Sequence, residues 1–297
     1  MAERPAAPDG LVVVDKPAGW TSHDVVAKSR GLLGTRKVGH AGTLDPDATG
    51  VLLLGVGKAT KLLRFLSPLG KSYVGEVVLG VETSTLDAAG DVVATHDMVG
   101  VTVADARRVA AEQLTGDILQ VPPMVSALKV GGRRLHELAR EGIEVEREAR
   151  PVTVSAFSVD EVEGESGVLR IAVTCSSGTY VRTLAADLGA ALGGGAHLRN
   201  LRRTSVGPFS LDDAVPLTAV DPEVVRPPAE AVRHLAATTV GPDVADAVAV
   251  GKVLDRDVLG VSGDGPWSVL GEDGSLLAVY EAHKGTTVKP SLVLVAR

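Results

Sequence analysis

The stretch GHAGTLDPDATG at residues 39–50 combines three glycines, one proline and two aspartates within twelve residues. Within it, Asp45 stands between Leu44 and Pro46, and proline fixes its own φ and restricts the residue before it. A carboxylate confined in this way on a loop suits a nucleophile, a general base or a metal ligand. The alternative is a turn in which the Asp side chain bonds its own backbone, and from this dipeptide alone we favour the turn.

The residues on both sides of this stretch predict an alternation of strands and helices. Residues 11–15 (LVVVD) predict a strand, and Thr21 or Ser22 then caps a helix to about Leu33. The glycines and prolines predict a loop over 35–50. Further helices are predicted over 58–65, 104–114, 132–141 and 181–192, and further strands over 73–79, 152–160 and 168–175. Because the alternation lacks regular βαβ spacing, it indicates an α+β main domain.

The last third of the chain differs in composition from the rest. Four prolines fall within an acidic stretch after residue 212, which predicts a connection between domains. Beyond it, short Val- and Leu-rich runs separated by turns predict a small β-barrel. We therefore predict a main domain over 10–211, a linker over 212–239 and a second domain over 240–297.

The overall composition is that of an ordinary globular protein, with 297 residues of which 45% are hydrophobic and 23% charged. A single cysteine, Cys175, rules out an internal disulfide framework and a cysteine-based zinc site. The first residues are polar, and the apolar run at 51–54 is far shorter than the about 20 residues of a membrane span. We therefore expect a soluble cytoplasmic protein with no membrane association.

The formal net charge of −7 argues against a nucleic-acid partner, but the basic residues are unevenly placed. The stretch 28–71 contains eight Lys or Arg residues against two Asp, and the stretch 182–203 contains four Arg against one Asp. Because salt screens charges beyond about 10 Å, such local patches bind phosphates even on an acidic protein. Charge alone nevertheless favours a solvated surface as the simpler interpretation.

Two of the three tyrosines lie close to cations: Tyr73 follows Lys71, and Tyr180 precedes Arg182. An aromatic ring beside a cation can stack on a base and hold its phosphate, although an isolated tyrosine is more often a core or rim residue. Arg182 falls in the first turn of a predicted helix, where a cation opposes the helix dipole. Asp45 or an RNA phosphate would remove this conflict, and a solvent-exposed arginine is the alternative.

No pattern for a metal or a nucleotide cofactor is present in the sequence. The seven histidines show no metal-ligand spacing, and the glycines at 193–195 lack the Lys-Ser/Thr pair of a nucleotide-binding loop. A G-x-S-x-G nucleophile motif is also absent. We therefore expect neither a metal nor another cofactor.

Taken together, these passages resemble the bacterial tRNA pseudouridine-55 synthases, the TruB family. The stretches that stand in the order and spacing of that family are LVVVDKPAGWTS (11–22), VGHAGTLDPDATG (38–50), KSY (71–73), QVPPMVSALKVGGRRLHELAREG (120–142), SSGTYVRTL (176–184) and HLRNLRRT (197–204). The resemblance covers about residues 10–210, and the tail after about 240 resembles the family's RNA-binding PUA-type barrel. Two residues, Val125 and His136, depart from the pattern where tyrosine is common.

This resemblance implies a pseudouridine-synthase fold, in which a central mixed, largely antiparallel sheet is flanked by helices and followed by a PUA-like β-barrel. It also implies isomerisation of uridine 55 in the T-arm of tRNA on a base extruded from the stack, without a cofactor. Asp45 would be the nucleophile, and attack on ribose C1′ and attack on the base both remain open.

The resemblance further implies roles for five other residues. Arg182 would keep Asp45 ionised, and Tyr73 would stack on the extruded base and is a candidate for proton transfer. The remaining pocket residues would be Tyr180, Leu201 and His40, the last filling space vacated in the loop.

Three alternatives remain open at this point. One is a related synthase directed by a guide RNA, and another is a tRNA-binding or tRNA-folding module whose chemistry is dispensable. A carboxylate hydrolase is the third, but Asp47 lies too close to Asp45 to serve as the opposing acid. We favour a stand-alone, monomeric enzyme whose partner is tRNA and which needs no obligate protein partner.

Overall fold

The computed structural model describes residues 7–126 and 128–294. The α-helices of this part of the chain are α1 Ser22–Leu32, α2 Leu63–Leu66, α3 Val103–Gln113, α4 Leu135–Arg140, α5 Val181–Ala191, α6 Pro242–Ala249 and α7 Arg256–Leu259. Its strands are β1 Gly10–Lys16, β2 Val38–Ala41, β3 Thr49–Val56, β4 Lys71–Leu79, β5 Val81–Thr83, β6 Val92–Thr95, β7 Gly116–Gln120, β8 Lys129–Val130, β9 Arg133–Arg134, β10 Arg150–Glu161, β11 Val168–Cys175, β12 Ala196–Val206, β13 Phe209–Ser210, β14 Val215–Pro216, β15 Ala236–Val240, β16 Leu254–Asp255, β17 Trp267–Gly271, β18 Leu276–Ala282 and β19 Thr287–Val293.

The chain forms two compact units. Unit 1 takes the described residues within Met1–Pro46, Gly50–Pro68 and Val206–Arg297, and unit 2 takes Asp47–Thr49 and those within Leu69–Ser205. None of the described helices is both long and apolar enough to span a membrane. The limits predicted above for a main domain, a linker and a second domain stay predictions.

In unit 1, β1 lies between two partners, with β3 antiparallel on one side and β14 parallel on the other. Apolar side chains of β1 and β3 meet Val25 and Val26 of α1 in one buried cluster. Helix α1 begins as predicted, because Thr21 accepts a hydrogen bond from the backbone of Asp24 and the Asp24 side chain bonds Thr21 in return. A strand and a capped helix thus fix the N-terminal part of unit 1.

Three of the predicted elements are wrong in part. The helix predicted over 58–65 is a 3₁₀ helix at Gly57–Leu62 that continues into α2. Residues 38–41 and 49–50 are not loop but belong to β2 and β3, which pair with each other. Gly39 lies in β2 at a tight contact, since a Cβ at this position would lie 3.1 Å from Leu63 Cδ1 and the Leu63 side chain would have to shift slightly. The helix predicted over 132–141 begins only at Leu135, because Gly131 and Gly132, with φ of 58° and 85°, turn β8 into β9. The His136 side chain lies outside the described residues.

Unit 2 contains a large sheet in the order β12-β4-β11-β10-β7, and this confirms the α+β class. The neighbours from β4 to β7 are antiparallel, with Tyr73 opposite Val173 and Val152 opposite Ile118. Helix α3 packs against β10. The predicted strands and the predicted helices at 104–114 and 181–192 are confirmed within two residues at each end.

The C-terminal residues of unit 1 form a five-stranded sheet in the order β15-β17-β18-β19-β16. This sheet curls into a half-barrel, and its core includes Val269, Tyr280 and Val288. A β-rich tail is therefore confirmed, while the PUA-like identity stays a prediction.

The acidic, proline-rich segment that follows β12 in unit 1 packs against β1. Arg226 exchanges two backbone hydrogen bonds of 2.9 Å with Leu11. Its side chain, together with that of Arg233, donates to Asp213 at 2.6 and 2.9 Å. Burial opposes the charge of Asp213, but these bonds and one from the Ser210 backbone lower its pKa to about 2. The segment is thus tied to the sheet by charge-assisted hydrogen bonds.

Besides Arg182, two cations are buried among the described residues of unit 2. Lys71 on β4 is 6% exposed and Arg203 on β12 is fully buried. Burial, with a smaller contribution from Arg203, lowers the pKa of Lys71 to about 8, and burial also lowers the pKa of Arg203. Because the charged form of Lys71 is disfavoured in the fold, this lysine reduces stability at neutral pH.

We expect Lys71→Met to raise the free energy of unfolding at pH 7. Since the unfolded chain binds more protons than the folded one between about pH 8 and the ordinary lysine pKa of 10.5, the parent gains stability through this window and the variant does not. The advantage of the variant should therefore shrink as the pH rises. Denaturant titrations at several pH values measure the difference in the free energy of unfolding between parent and variant. Lys61→Met is the control, because Lys61 is exposed. A difference independent of pH would contradict the assignment.

Candidate active site

The loop that carries Asp45 is fixed on its N-terminal side by Ser22 of α1. The buried Ser22 hydroxyl donates to the Leu44 carbonyl at 3.2 Å and accepts from the Leu44 N–H at 2.9 Å. One side chain thereby satisfies both backbone groups of the residue before Asp45. This contact bridges 22 positions in sequence and links the start of a helix to the loop.

The C-terminal side of the same loop is fixed by Lys16, the last residue of β1. Its buried ammonium group donates to the carbonyls of Pro17, Trp20 and Pro46, at 3.0, 2.6 and 2.8 Å. The Pro46 carbonyl also accepts from the Gly19 N–H at 2.9 Å. Both neighbours of Asp45 are therefore held by hydrogen bonds, in addition to the restriction that proline imposes. The sequence indicated a confined acid but not these two side chains.

Asp45 itself is half-buried in unit 1, and His40 lies in the same unit on β2. The His40 ring meets the ring of His23 edge to face, with the centroids 5.2 Å apart. Among the described residues, no three His, Cys, Asp or Glu side chains are grouped so that they could hold a metal ion.

Arg182 lies in unit 2, and only 4% of its surface is accessible to solvent. The alternative of a solvent-exposed arginine, which the sequence allowed, is therefore wrong. The Arg182 guanidinium group donates to the carbonyls of Thr85 and Val125, at 2.8 and 2.9 Å, and pairs with Asp87 at 3.3 Å. Asp87 supplies an anion near the N-terminal end of α5, where a lone cation would oppose the helix dipole. Val125 acts here through its carbonyl, so its departure from the family pattern leaves this contact intact.

The loop that presents Asp87 is rigidly built. Thr85 Oγ1 donates to the Asp87 carboxylate at 2.5 Å, and Thr83 Oγ1 donates to the Asp87 carbonyl at 2.6 Å. Between them, Leu86 has a φ of 62°, which a branched side chain rarely adopts. Backbone strain beside a charged contact is a feature of functional sites. Asp87 was not predicted as a site residue from the sequence. The only local indication of a structured turn there is the run of Thr, Ser and Asp residues at 83–87.

Tyr180 directly precedes α5 and is held by Gln120 at the end of β7. The Gln120 amide accepts from the Tyr180 N–H at 2.7 Å and donates to the Tyr180 carbonyl at 3.1 Å. The two residues line a cavity of about 340 Å³ whose other walls are Pro122, Leu128, Arg150, Pro151, Val152, Ser177 and Gly178. Gln120 was also missed, because the contact spans 60 positions.

Tyr73 and Leu201 lie in unit 2 on β4 and β12. Tyr73 is 8% exposed and hydrogen-bonds the Arg203 guanidinium. The Leu201 side chain packs against β4 close to Tyr73, since a Cβ at Gly75, two residues beyond Tyr73, would lie 3.5 Å from Leu201 Cδ1. Of the six predicted site residues, unit 1 thus holds Asp45 and His40, and unit 2 holds Tyr73, Tyr180, Arg182 and Leu201.

The two basic stretches differ in exposure. In the stretch 182–203, Arg182 and Arg203 are buried, and Arg199 pairs with Glu76 and Glu165 at 2.8 and 2.5 Å. This stretch therefore does not form a basic surface patch, because two of its four arginines are buried and a third is paired with acids. The stretch 28–71 has seven exposed cations in unit 1, among them Arg36, Lys37, Lys58, Lys61 and Arg64. We call these five residues the basic surface.

We expect Ser22→Ala to lower the free energy of unfolding by about 1–3 kcal/mol, because it leaves both backbone groups of Leu44 without this partner. Ser29→Ala is the matched control, since Ser29 is equally buried on α1 and its hydroxyl has no hydrogen-bond partner in the described structure. Denaturant unfolding of both variants measures the difference. Equal losses would show that the Ser22 bonds add nothing beyond packing.

Two family models match successive parts of the chain. The model described as TruB family pseudouridylate synthase, N-terminal domain, matches residues 30–181. The model described as tRNA pseudouridylate synthase B C-terminal domain matches residues 182–235. The resemblance inferred from the sequence is thereby confirmed.

Curated relatives agree over almost the whole chain. A protein of Streptomyces coelicolor named tRNA pseudouridine synthase B is 49% identical and covers 96% of this chain and 97% of its own. Proteins of the same name from Corynebacterium aurimucosum and Shouchella clausii are 48% and 42% identical, over 99% and 95% of this chain and 98% and 97% of their own.

Solved structures show the same fold. One chain in the crystal structure of a Cbf5-Nop10-Gar1 complex has a TM-score of 0.75 and 28% identity, covering 97% of this chain and 85% of that chain. One in an H/ACA RNP bound to a substrate RNA containing 2′-deoxyuridine has a TM-score of 0.73 and 26% identity, covering 97% and 86%. Family models and relatives show that the chain belongs to the TruB family and is an RNA pseudouridine synthase, an isomerase.

Proposed function

We propose that this enzyme isomerises uridine 55 in the T-arm of tRNA, with Asp45 as the nucleophile. The observation that carries the proposal is the immobilised loop: both neighbours of Asp45 are held, Leu44 by Ser22 and Pro46 by Lys16. A nucleophile that is positioned before the substrate binds has little orientational entropy to lose in the reaction. Relatives named tRNA pseudouridine synthase B support tRNA as the substrate.

The reaction breaks the C–N glycosidic bond, turns the free uracil and rejoins it to the ribose through a C–C bond. Atoms are conserved, so no oxidant or hydrolytic water is consumed. The uridine is extruded from the T-arm because its glycosidic bond is inaccessible in the stack, at a cost of a few kcal/mol. Asp45 attacks either ribose C1′ or the base, and both routes need an ionised carboxylate.

The other site residues have the following roles in this proposal. Arg182 keeps Asp45 ionised, and its fixed contacts with Thr85, Val125 and Asp87 support such a positioned cation. Tyr73 stacks on the extruded uracil and takes part in proton transfer. The pocket is completed by Tyr180, Leu201 and His40.

We propose a stand-alone monomeric enzyme rather than a guide-directed one. Identity to the Streptomyces coelicolor tRNA enzyme is 49%, against 28% for the chain of the Cbf5 complex, and this difference favours direct recognition of tRNA. A PUA-like domain over 240–297, joined to the catalytic domain of 10–211 by residues 212–239, adds RNA contacts. The enzyme acts in the cytoplasm, where its substrate is found.

Asp45→Asn should bind unmodified tRNA nearly as well as the parent but form no pseudouridine, because the amide keeps the shape and loses the nucleophile. Asp47→Asn is the control: it is an exposed acid two residues away and should keep its activity. Filter binding and mapping of pseudouridine in the tRNA measure both properties. Turnover by Asp45→Asn without deamidation, or pseudouridine only at positions other than 55, would contradict the proposal.

Affinity for tRNA should fall steeply as salt rises, in spite of the net charge of −7. If the basic surface binds phosphates, Lys61→Glu should weaken binding and reduce the log–log salt slope by about 0.7–0.9 for each phosphate that is no longer neutralised. Arg108→Glu, an exposed cation on α3 outside both basic stretches, is the control. Equal slopes for the parent and both variants would show that the basic surface does not touch the RNA.

A further inference from the structure

Tyr73, Lys71 and Arg203 form a buried cluster in which only Tyr73 has a proposed role, and the inference about Lys71 and Arg203 rests on that role of Tyr73 in stacking and proton transfer. Arg203 is fully buried, and its guanidinium group is hydrogen-bonded to the Tyr73 hydroxyl. A guanidinium group has only donors, so the phenol oxygen accepts this bond. A positive charge is thus fixed at the oxygen of the tyrosine that we place against the substrate base.

Lys71 brings a second cation to the same place. It precedes Tyr73 by two positions on β4, so both side chains leave the same face of the sheet, and both are buried. The Lys71 ammonium donates to the Leu69 carbonyl at 2.7 Å and is close enough to Arg203 to be repelled by it. From the neighbouring strand β11, the titratable group is the Cys175 thiol, whose pKa burial raises, so it stays neutral.

Stability does not account for this arrangement. Replacing a buried charged group by an apolar side chain of similar volume is often neutral or stabilising. Burying one cation close to another adds repulsion to the desolvation penalty. Charged side chains that are buried at a cost in stability cluster at functional sites. Arg203 bonds the Tyr73 oxygen and Lys71 lies close to Arg203, which points to a role for both cations in the chemistry of that atom.

We propose that Arg203 is a positioning residue that holds the Tyr73 hydroxyl oxygen and, together with Lys71, stabilises negative charge on it. Tyr73 then accepts the proton that leaves C5 of uracil. Once C5 is bonded to ribose C1′, the C5–H electron pair returns to the ring as a C=C bond and the proton goes to the phenolate oxygen. N1, which kept the electron pair of the glycosidic bond, takes one proton from water, and the phenol returns its proton to water. The sum moves one hydrogen from C5 to N1.

The phenol titration of Tyr73 tests this directly, in the full-length protein without RNA. The difference in ultraviolet absorbance between the parent and Tyr73→Phe, followed against pH, isolates Tyr73 from the other two tyrosines. The same difference is measured in Arg203→Met, and in Arg203→Gln should the Met variant not fold. We expect loss of the guanidinium to move the titration of Tyr73 upward by about 1–3 pH units. Arg203→Lys, which keeps a cation, should restore part of the shift.

Steady-state kinetics then link the titration to the reaction. Arg203→Met should lower kcat by at least about 10-fold, with KM for tRNA unchanged and the pH optimum moved upward. A Tyr73 titration that is the same in the parent and in the Arg203 variants overturns the inference, whatever their activity. Full turnover by Tyr73→Phe overturns instead the proton-transfer role of Tyr73, even if its titration responds to Arg203. The two failures are therefore distinguishable.

Discussion

The bonds from the buried Lys16 ammonium to three carbonyls form the constraint on which the candidate site depends. An ammonium group has three donors and no acceptor, and here they meet the carbonyls of Pro17, Trp20 and Pro46. A charge this deeply buried is tolerable because each bond to it is charge-assisted. The contact joins the end of β1 to the residue after Asp45, so that the position of the acid follows from the position of the sheet. Ser22 adds the matching restraint from α1 on the other side of the acid.

Both compact units bury cations. In unit 1 Lys16 meets carbonyls, whereas Arg226 and Arg233 pair with Asp213. In unit 2 Arg182 meets carbonyls and Asp87, and Arg203 meets a phenol. Internal cations of this kind contribute little net stability because desolvation offsets their attraction. Their value lies in fixed positive charge that needs no reorganisation when negative charge develops during a reaction.

Local patterns predicted much of this fold. The helix after Thr21 and the strands at 11–15, 73–79 and 168–175 follow from capping and from the spacing of apolar residues, which are properties of neighbours in sequence. The strand β2 was missed because glycines and prolines predict a loop, whereas its pairing with β3 forms only in the folded chain. The same limit applies to the site. The Asp-Pro dipeptide predicts a confined acid, but the contacts made by Lys16, Asp87 and Gln120 join segments that are distant in sequence and could not be predicted from it. The local charge of the stretch 182–203 did not predict its surface charge, because the sequence does not reveal which arginines are buried.

The pairing of β1 with residues from the other end of the chain has a consequence for protein synthesis. One edge of β1 is covered by Val215 and Pro216, and Leu11 is covered by Arg226. A ribosome makes β1 and the Asp45 loop first, and it makes these partners after more than two-thirds of the chain has been translated. Until then the nascent chain exposes an unpaired strand edge, which can pair incorrectly or bind chaperones. The reactive loop therefore reaches its final form late, and a product truncated before residue 215 is deprived of this edge pairing.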